Sequence, residues 1–224
     1  MIKFCLYCSL FVYTLFADEL HTKVEEAYKH HNIPQVVKLY KQIALEGDLD
    51  GYFRLGILYY QGKYIKKNLD KAMEYFQEAS IYGDKKALYN IATIYSNKSY
   101  HDYNPKKAYK ILLGLAREHY PKAQFRVGSM LLYGFGVGRD YKLAMRWFEE
   151  AYFVHHYILA GCSLAYMYAN GLGALQNLGR ARKLSYDGAK QNIYLCKKVY
   201  NDFKLYKSKY KEDKGFKFGY YKSY

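Results

Sequence analysis

The sequence predicts an all-α protein made of tandem helix pairs stacked as a solenoid, and three observations predict it. Small and apolar residues recur every 36 positions: Leu55, Ile91, Val127 and, one residue late, Leu164; Gly56, Ala92, Gly128 and Ala165; Tyr59, Tyr95, Leu131 and Tyr168. A second set follows in each unit, Ala72, Ala108, Ala144 and Ala181, trailed by Phe76, Leu112, Phe148 and Ser185. Between the two sets stand glycine-rich breaks. One such unit cannot bury its apolar face alone, so the copies must stack on one another.

The elements follow in order. Residues 19–47 read as a partial unit, in which Pro34 starts a helix and Gly47 ends it. Full units are expected at about 51–84, 87–120, 123–156 and 160–189. The third shows the pattern most fully. Ala123, Val127, Gly128 and Leu131 share one helical face, and Gly134-Phe135-Gly136-Val137-Gly138 stops that helix. Asp140 signals the next start, and Leu143, Ala144, Trp147, Phe148 and Ala151 form the second stripe. The column Gly56, Ala92, Gly128 and Ala165 marks a point where two helices approach closely, because a larger side chain would separate them. In the second unit the linker glycines give way to a run from Asn97 to Pro105. The fourth carries Gly171-Leu172-Gly173 and a register change. Lys190 to Tyr206 reads as one closing helix, with Ile193, Cys196, Val199, Tyr200 and Phe203 on its apolar side.

The ends differ from the array. Lys3 precedes the apolar stretch Phe4 to Phe16, with Ala17 before Asp18-Glu19, which reads as a signal peptide over residues 1–17. The competing reading is an uncleaved anchor, although spanning a bilayer usually takes about 20 apolar residues. Export across the inner membrane, to a periplasmic or secreted location, is the expectation. Residues 207–224 hold six lysines, six aromatics and two acids. Such a tail is a solvated terminus, or it attaches to an anionic envelope surface. Nucleic acid is not an expected partner of an exported chain.

Composition bounds the rest. Thirty-five Lys and Arg against 20 Asp and Glu give a formal charge of +15, which bears on partners and not on fold. Thirty tyrosines supply rings with polar tips, suited to repeat interfaces or a binding face. Beyond the leader, the cysteines are Cys162 and Cys196, 34 residues apart and so on neighbouring parallel helices. They bridge only if both side chains face the shared interface; two buried free thiols are the other reading.

The run Ala123…Val127-Gly128…Leu131…Gly134-Phe135-Gly136-Val137…Asp140…Ala144…Trp147-Phe148…Ala151 closely resembles the Sel1-like repeat, a relative of the tetratricopeptide repeat. The first and fourth units resemble it through Leu55-Gly56…Tyr59…Gly62…Ala72…Phe76 and Leu164-Ala165…Tyr168…Gly171…Gly173…Ala181. The resemblance implies a right-handed α/α superhelix whose first helices line a concave side, and a role in assembling protein complexes. In layout the chain is similar to secreted Helicobacter cysteine-rich proteins, some described as penicillin-binding or β-lactamase-like, but it lacks their cysteine pair within each repeat.

That analogy raises a β-lactam-binding enzyme as the alternative function. Serine β-lactamases use S-x-x-K with S-D-N and K-T-G elements. The sequence has only Ser208-Lys209-Tyr210-Lys211, in the lysine-rich tail, and neither other element. His30-His31 and His155-His156 are adjacent pairs whose side chains diverge on a helix, so all seven histidines read as structural or surface groups. No catalytic residue, metal site or cofactor is expected.

The expected function is binding. By the tetratricopeptide resemblance, the columns Phe53, Tyr89, Phe125, Cys162 and Tyr60, Ser96, Leu132, Ala169 face a groove, with Gln61, Asn97, Tyr133 and Asn170 beside them and Lys86 and Lys122 at the rim. Aromatic rings, amides and lysines suit a protein or extended peptide partner.

Overall fold

The computed structural model describes residues 19–48 and 50–207, and among these every regular element is helical. The chain falls into two compact units, Met1–Asn104 and Pro105–Tyr224. Residues 1–17, with their leader pattern, lie outside the described residues, as does the tail beyond Lys207.

In the first unit, residues 19–29 form α1. It is followed by α2 (Ile33–Leu45), α3 (Asp50–Gln61), α4 (Leu69–Ile81) and α5 (Lys85–Tyr95). Side-chain caps open several of these helices. Asn32 accepts from the Gln35 N–H, Asn68 from Asp70 and Lys71, and Asp84 from Lys86 and Ala87, satisfying donors that a helix start leaves unpaired. Leu20, Val24 and Ala27 of α1 close over Val36, Leu39, Tyr40 and Ile43 of α2 and Leu55 of α3. The leading partial unit is thus a packed helix pair. Consecutive helices α2 to α5 pack each on the next.

In the second unit, α6 (Pro105–Arg117), α7 (Pro121–Tyr133) and α8 (Tyr141–Glu149) are followed by α9 (Ile158–Asn170), α10 (Leu178–Lys190) and α11 (Tyr194–Asp202). Asp140 and Asn177 cap α8 and α10 from one repeat column, and Gly134 and Gly171 end α7 and α9 in the left-handed region.

The small-residue column does what close approach requires. A β-carbon at Gly56 would sit 2.5 Å from the Phe76 ring, and one at Gly128 would sit 2.8 Å from the Phe148 ring. Both rings are fully buried. Where the column holds Ala165, the partner column holds the smaller Ser185, whose hydroxyl donates to Ala181.

Two features depart from the sequence expectations. The closing segment is not one helix over 190–206. Lys190 ends α10, Asn192 turns in the left-handed region at φ 57°, and α11 runs only from Tyr194 to Asp202. Lys204 turns again at φ 50° and tucks Leu205 into the core. The apolar spacing is right, but two left-handed turns cut the helix on either side. The register change before the fourth unit is a π-turn, Glu150–Val154, continuing α8. A residue added inside a helix is accommodated by one such wide turn, which is why Leu164 comes one residue late.

Candidate functional site

The side chains expected to line a groove divide into two groups. Phe53 and Phe125 are half-buried packing rings. Phe53 lies 5.9 Å from Phe76, with the Lys86 ammonium 5.9 Å from its centroid. Phe125 lies 5.8 Å from Phe148 and 5.5 Å from Tyr157. Each fills space beside the phenylalanine that its glycine neighbour admits, so the rings are committed to contacts between helices. Tyr89 is partly buried on α5. In the adjoining column Leu132 and Ala169 are buried outright, while Tyr60 is partly buried with Lys67 5.5 Å from its ring centroid.

Cys162 leaves the groove altogether. It is fully buried and bonded to Cys196, with Cα atoms 4.7 Å apart, joining α9 to α11. Both sulfurs lie against Gly188 of α10, where a β-carbon would collide with the Cys196 side chain. Of the two readings left open by sequence, the bridge is the one present.

The amides serve their own backbone. Asn97 accepts from the Ser99 N–H at 3.0 Å, holding the linker turn, and the exposed Asn170 donates to the Tyr166 carbonyl at 2.8 Å. Lys86 and Lys122 are exposed at the starts of α5 and α7.

Tyr133 is the ring that remains presented to solvent, 62% exposed at the end of α7. Partial burial pushes its phenol above the usual tyrosine range, and the neighbouring Tyr166 of α9 adds to the shift. At the other end of the same face, burial raises Tyr157 while Arg126 beside it acts in the opposite sense. On α7 and α9 of the second unit, Lys122, Tyr133 and Asn170 are exposed, and Arg126 and Tyr166 are partly buried. Ser208–Lys211 lies outside the described residues, and no described helix is long and apolar enough to cross a membrane.

One cluster was not read from sequence. His119, Glu150 and His155 each offer a ligand atom within 4.8 Å of the others. Comparison of adjacent histidines could not find it. The signal that could is the spacing of His119 and His155, one repeat period apart at equivalent turns.

Antiparallel helix pairs in tandem, with a small-residue column against a large one, define the tetratricopeptide-like class. Within it, the Sel1 repeat model matches residues 49–81, 121–152 and 158–192. The chain is a Sel1-like repeat protein. It is 41% identical over 69 residues to protein sel-1 homolog 2 of Rattus norvegicus, covering 31% of this chain and 10% of that protein. With the Homo sapiens protein of the same name it shares 30% identity over 128 residues, 55% of this chain and 18% of the relative. The chain thus spans under a fifth of the length of these relatives. Among solved structures it is similar to a Sel1 repeat protein from Oxalobacter formigenes, with TM-score 0.67 and 23% identity over 81% of this chain and 74% of that one. It is also similar to a protective antigen of uropathogenic Escherichia coli strains displaying an SLR fold, with TM-score 0.71 and 20% identity over 85% of this chain and 44% of the other. These likenesses show the fold.

Proposed function

We propose that the chain is an exported scaffold that binds a protein or extended peptide, using the exposed first-helix surface of its second unit. The observation that carries this reading is Tyr133, held out in solvent beside Tyr166 and on the same helices as Lys122, Arg126 and Asn170. An exposed ring with basic and amide neighbours provides apolar area at low entropic cost, and the lysine and arginine favour acidic segments of a partner. The Cys162–Cys196 bridge supports an oxidising compartment, in keeping with the leader pattern of residues 1–17. The basic tail is a second contact, with an anionic envelope surface. No observation favours the β-lactam alternative.

The test is affinity capture from envelope extract with the full chain, followed by titration of the purified partner against wild type and a Tyr133→Ala/Tyr166→Ala variant. Loss of two central rings is expected to weaken binding by about tenfold or more, since such anchors contribute upwards of ~1–2 kcal/mol each. Equal affinity for both proteins, each with unchanged helical signal, refutes the assignment of the surface.

A further inference from the structure

We propose that His119, Glu150 and His155 form a binding site for a divalent transition-metal ion of the zinc class. All three belong to the second unit. His119 sits in the turn between α6 and α7, itself in the left-handed region at φ 59°. Glu150 opens the π-turn after α8, and His155 closes it. The His119 Nδ1 and a Glu150 oxygen are 2.9 Å apart, the two imidazole centroids 6.2 Å apart, and all three ligand atoms lie within 4.8 Å of one another.

The donor set is the one zinc takes. Two imidazoles and a carboxylate, at bonds of about 2.0–2.2 Å, complete three corners of a tetrahedron and leave the fourth to water. That geometry spaces ligand atoms by about 3.3 Å, so from a separation of up to 4.8 Å the widest pair needs to close by up to about 1.5 Å. Exposure favours entry from one side. The His119 and Glu150 side chains are 57% and 32% exposed, while the Nε2 of His155 is enclosed and has no hydrogen-bond partner within the protein. An enclosed polar atom left unpaired is costly, and a ligand at Nε2 would relieve it.

The chain's own irregularity builds the cluster. The left-handed residues that end successive repeats are Gly83, His119, His156 and Asn192, so the interval from His119 to His156 contains one residue more than its neighbours. The extra residue falls between Ala144 and His156, the stretch occupied by the π-turn. It leaves His155 just ahead of the left-handed turn, with its ring facing that of His119. Wide turns of this kind recur where a helix is bent to a functional purpose. An ion here ties the α6–α7 turn to the α8–α9 turn. Tyr133 lies at the far end of α7, twelve residues from Pro121 or about 18 Å along the helix, so the ion site and the proposed partner surface are separable.

The experiment is calorimetric titration of the full chain with Zn2+ at neutral pH, with Mg2+ alongside. One equivalent of Zn2+ is expected to bind, and Mg2+, which prefers oxygen ligands, is not. His119→Ala, Glu150→Gln and His155→Ala are each expected to weaken Zn2+ binding by about tenfold or more, while His156→Ala stays near wild type. Co2+ in place of Zn2+ is expected to give visible absorption bands lost in the same variants. At hundredfold excess over its dissociation constant, Zn2+ should raise the melting temperature by roughly 5–10 °C. Should His155→Ala fail to fold, the two more exposed positions carry the test. Absence of stoichiometric Zn2+ binding, or binding that none of the three substitutions weakens, overturns the proposal.

Discussion

Gly128→Ala is expected to destabilise the second unit, although alanine is the better helix former. In a helix interior the exchange gains about 0.5–1 kcal/mol from chain entropy. Here the new methyl would stand 2.8, 2.9 and 3.1 Å from three atoms of the Phe148 ring, against ordinary carbon contacts of about 3.5–4.0 Å. The ring cannot turn away. It is fully buried and backed by Phe125, which is itself packed on Tyr157. Overpacking of a closed core costs about 1–3 kcal/mol, leaving a net loss of up to ~2 kcal/mol after the entropic gain. Gly114 is the internal control. It lies on α6 with nothing within 4 Å of the position a methyl would take, so Gly114→Ala should stabilise by the propensity term alone. The assay is urea unfolding followed by fluorescence of Trp147, the single tryptophan, which neighbours Phe148 on α8. Phe148→Leu makes the space the methyl needs. The Gly128→Ala/Phe148→Leu pair should therefore be more stable than the sum of its singles by about 1 kcal/mol or more. If Gly128→Ala behaves like Gly114→Ala, or if the cycle is additive, the close-approach argument is wrong.

Reducing the Cys162–Cys196 bridge, or replacing Cys196 by Ser, removes a link across 34 residues; chain-entropy arithmetic gives a loss of about 4 kcal/mol. The loss should appear as faster amide exchange in α11, and equal protection of that helix in oxidised and reduced protein would refute it. Burial holds the Glu149 carboxyl above its usual range, with Arg146 and Arg180 only partly offsetting this. A raised carboxyl binds its proton more tightly folded than unfolded, so stability falls as pH rises from the ordinary carboxylate pKa through the folded one. Glu149→Gln should accordingly raise the melting temperature at neutral pH and lose that advantage on acidification toward about pH 4; a pH-independent difference would sink the assignment.

Periodicity made the fold legible because a solenoid repeats its packing along with its sequence. The Gly56 and Gly128 column could be read as a close approach before any partner was known, and Phe76 and Phe148 are the partners it meets. What periodicity reports is phase around a helix. It does not report which neighbour occupies the space on that side. Phe53, Phe125 and Tyr133 all fall on outward phases of first helices, yet two are packed between helices and one is held out in solvent. The difference lies in the long-range geometry: a phenylalanine admitted by a glycine draws the nearby ring inward, and nothing comparable draws in Tyr133. Likewise the stripe from Ile193 to Phe203 has helical spacing, while of the left-handed residues that bound the helix Asn192 is a type that also occurs within helices and Lys204 carries no local signal.

The histidine cluster shows the same limit from the other side. Regular repeats place equivalent turns one above another, but equivalence alone does not bring side chains to one point. His119 and the residue a strict 36-residue period pairs with it, His155, would both occupy the left-handed turn position in an unbroken array. The added residue in the third unit passes that turn position to His156 and leaves His155 on the preceding wide turn, enclosed, with Glu150 at the other end of the same turn and within reach of His119. A departure from the repeat, visible in sequence only as a late leucine, is therefore what assembles a constellation that the repeat itself does not contain. Deleting Val154 restores the period and should leave the helix pair folded, since its neighbours fold on the shorter spacing; it keeps His155 just ahead of the turn but changes the phase of Glu150 relative to it, and loss of Zn2+ binding in the same calorimetric titration is the expected result.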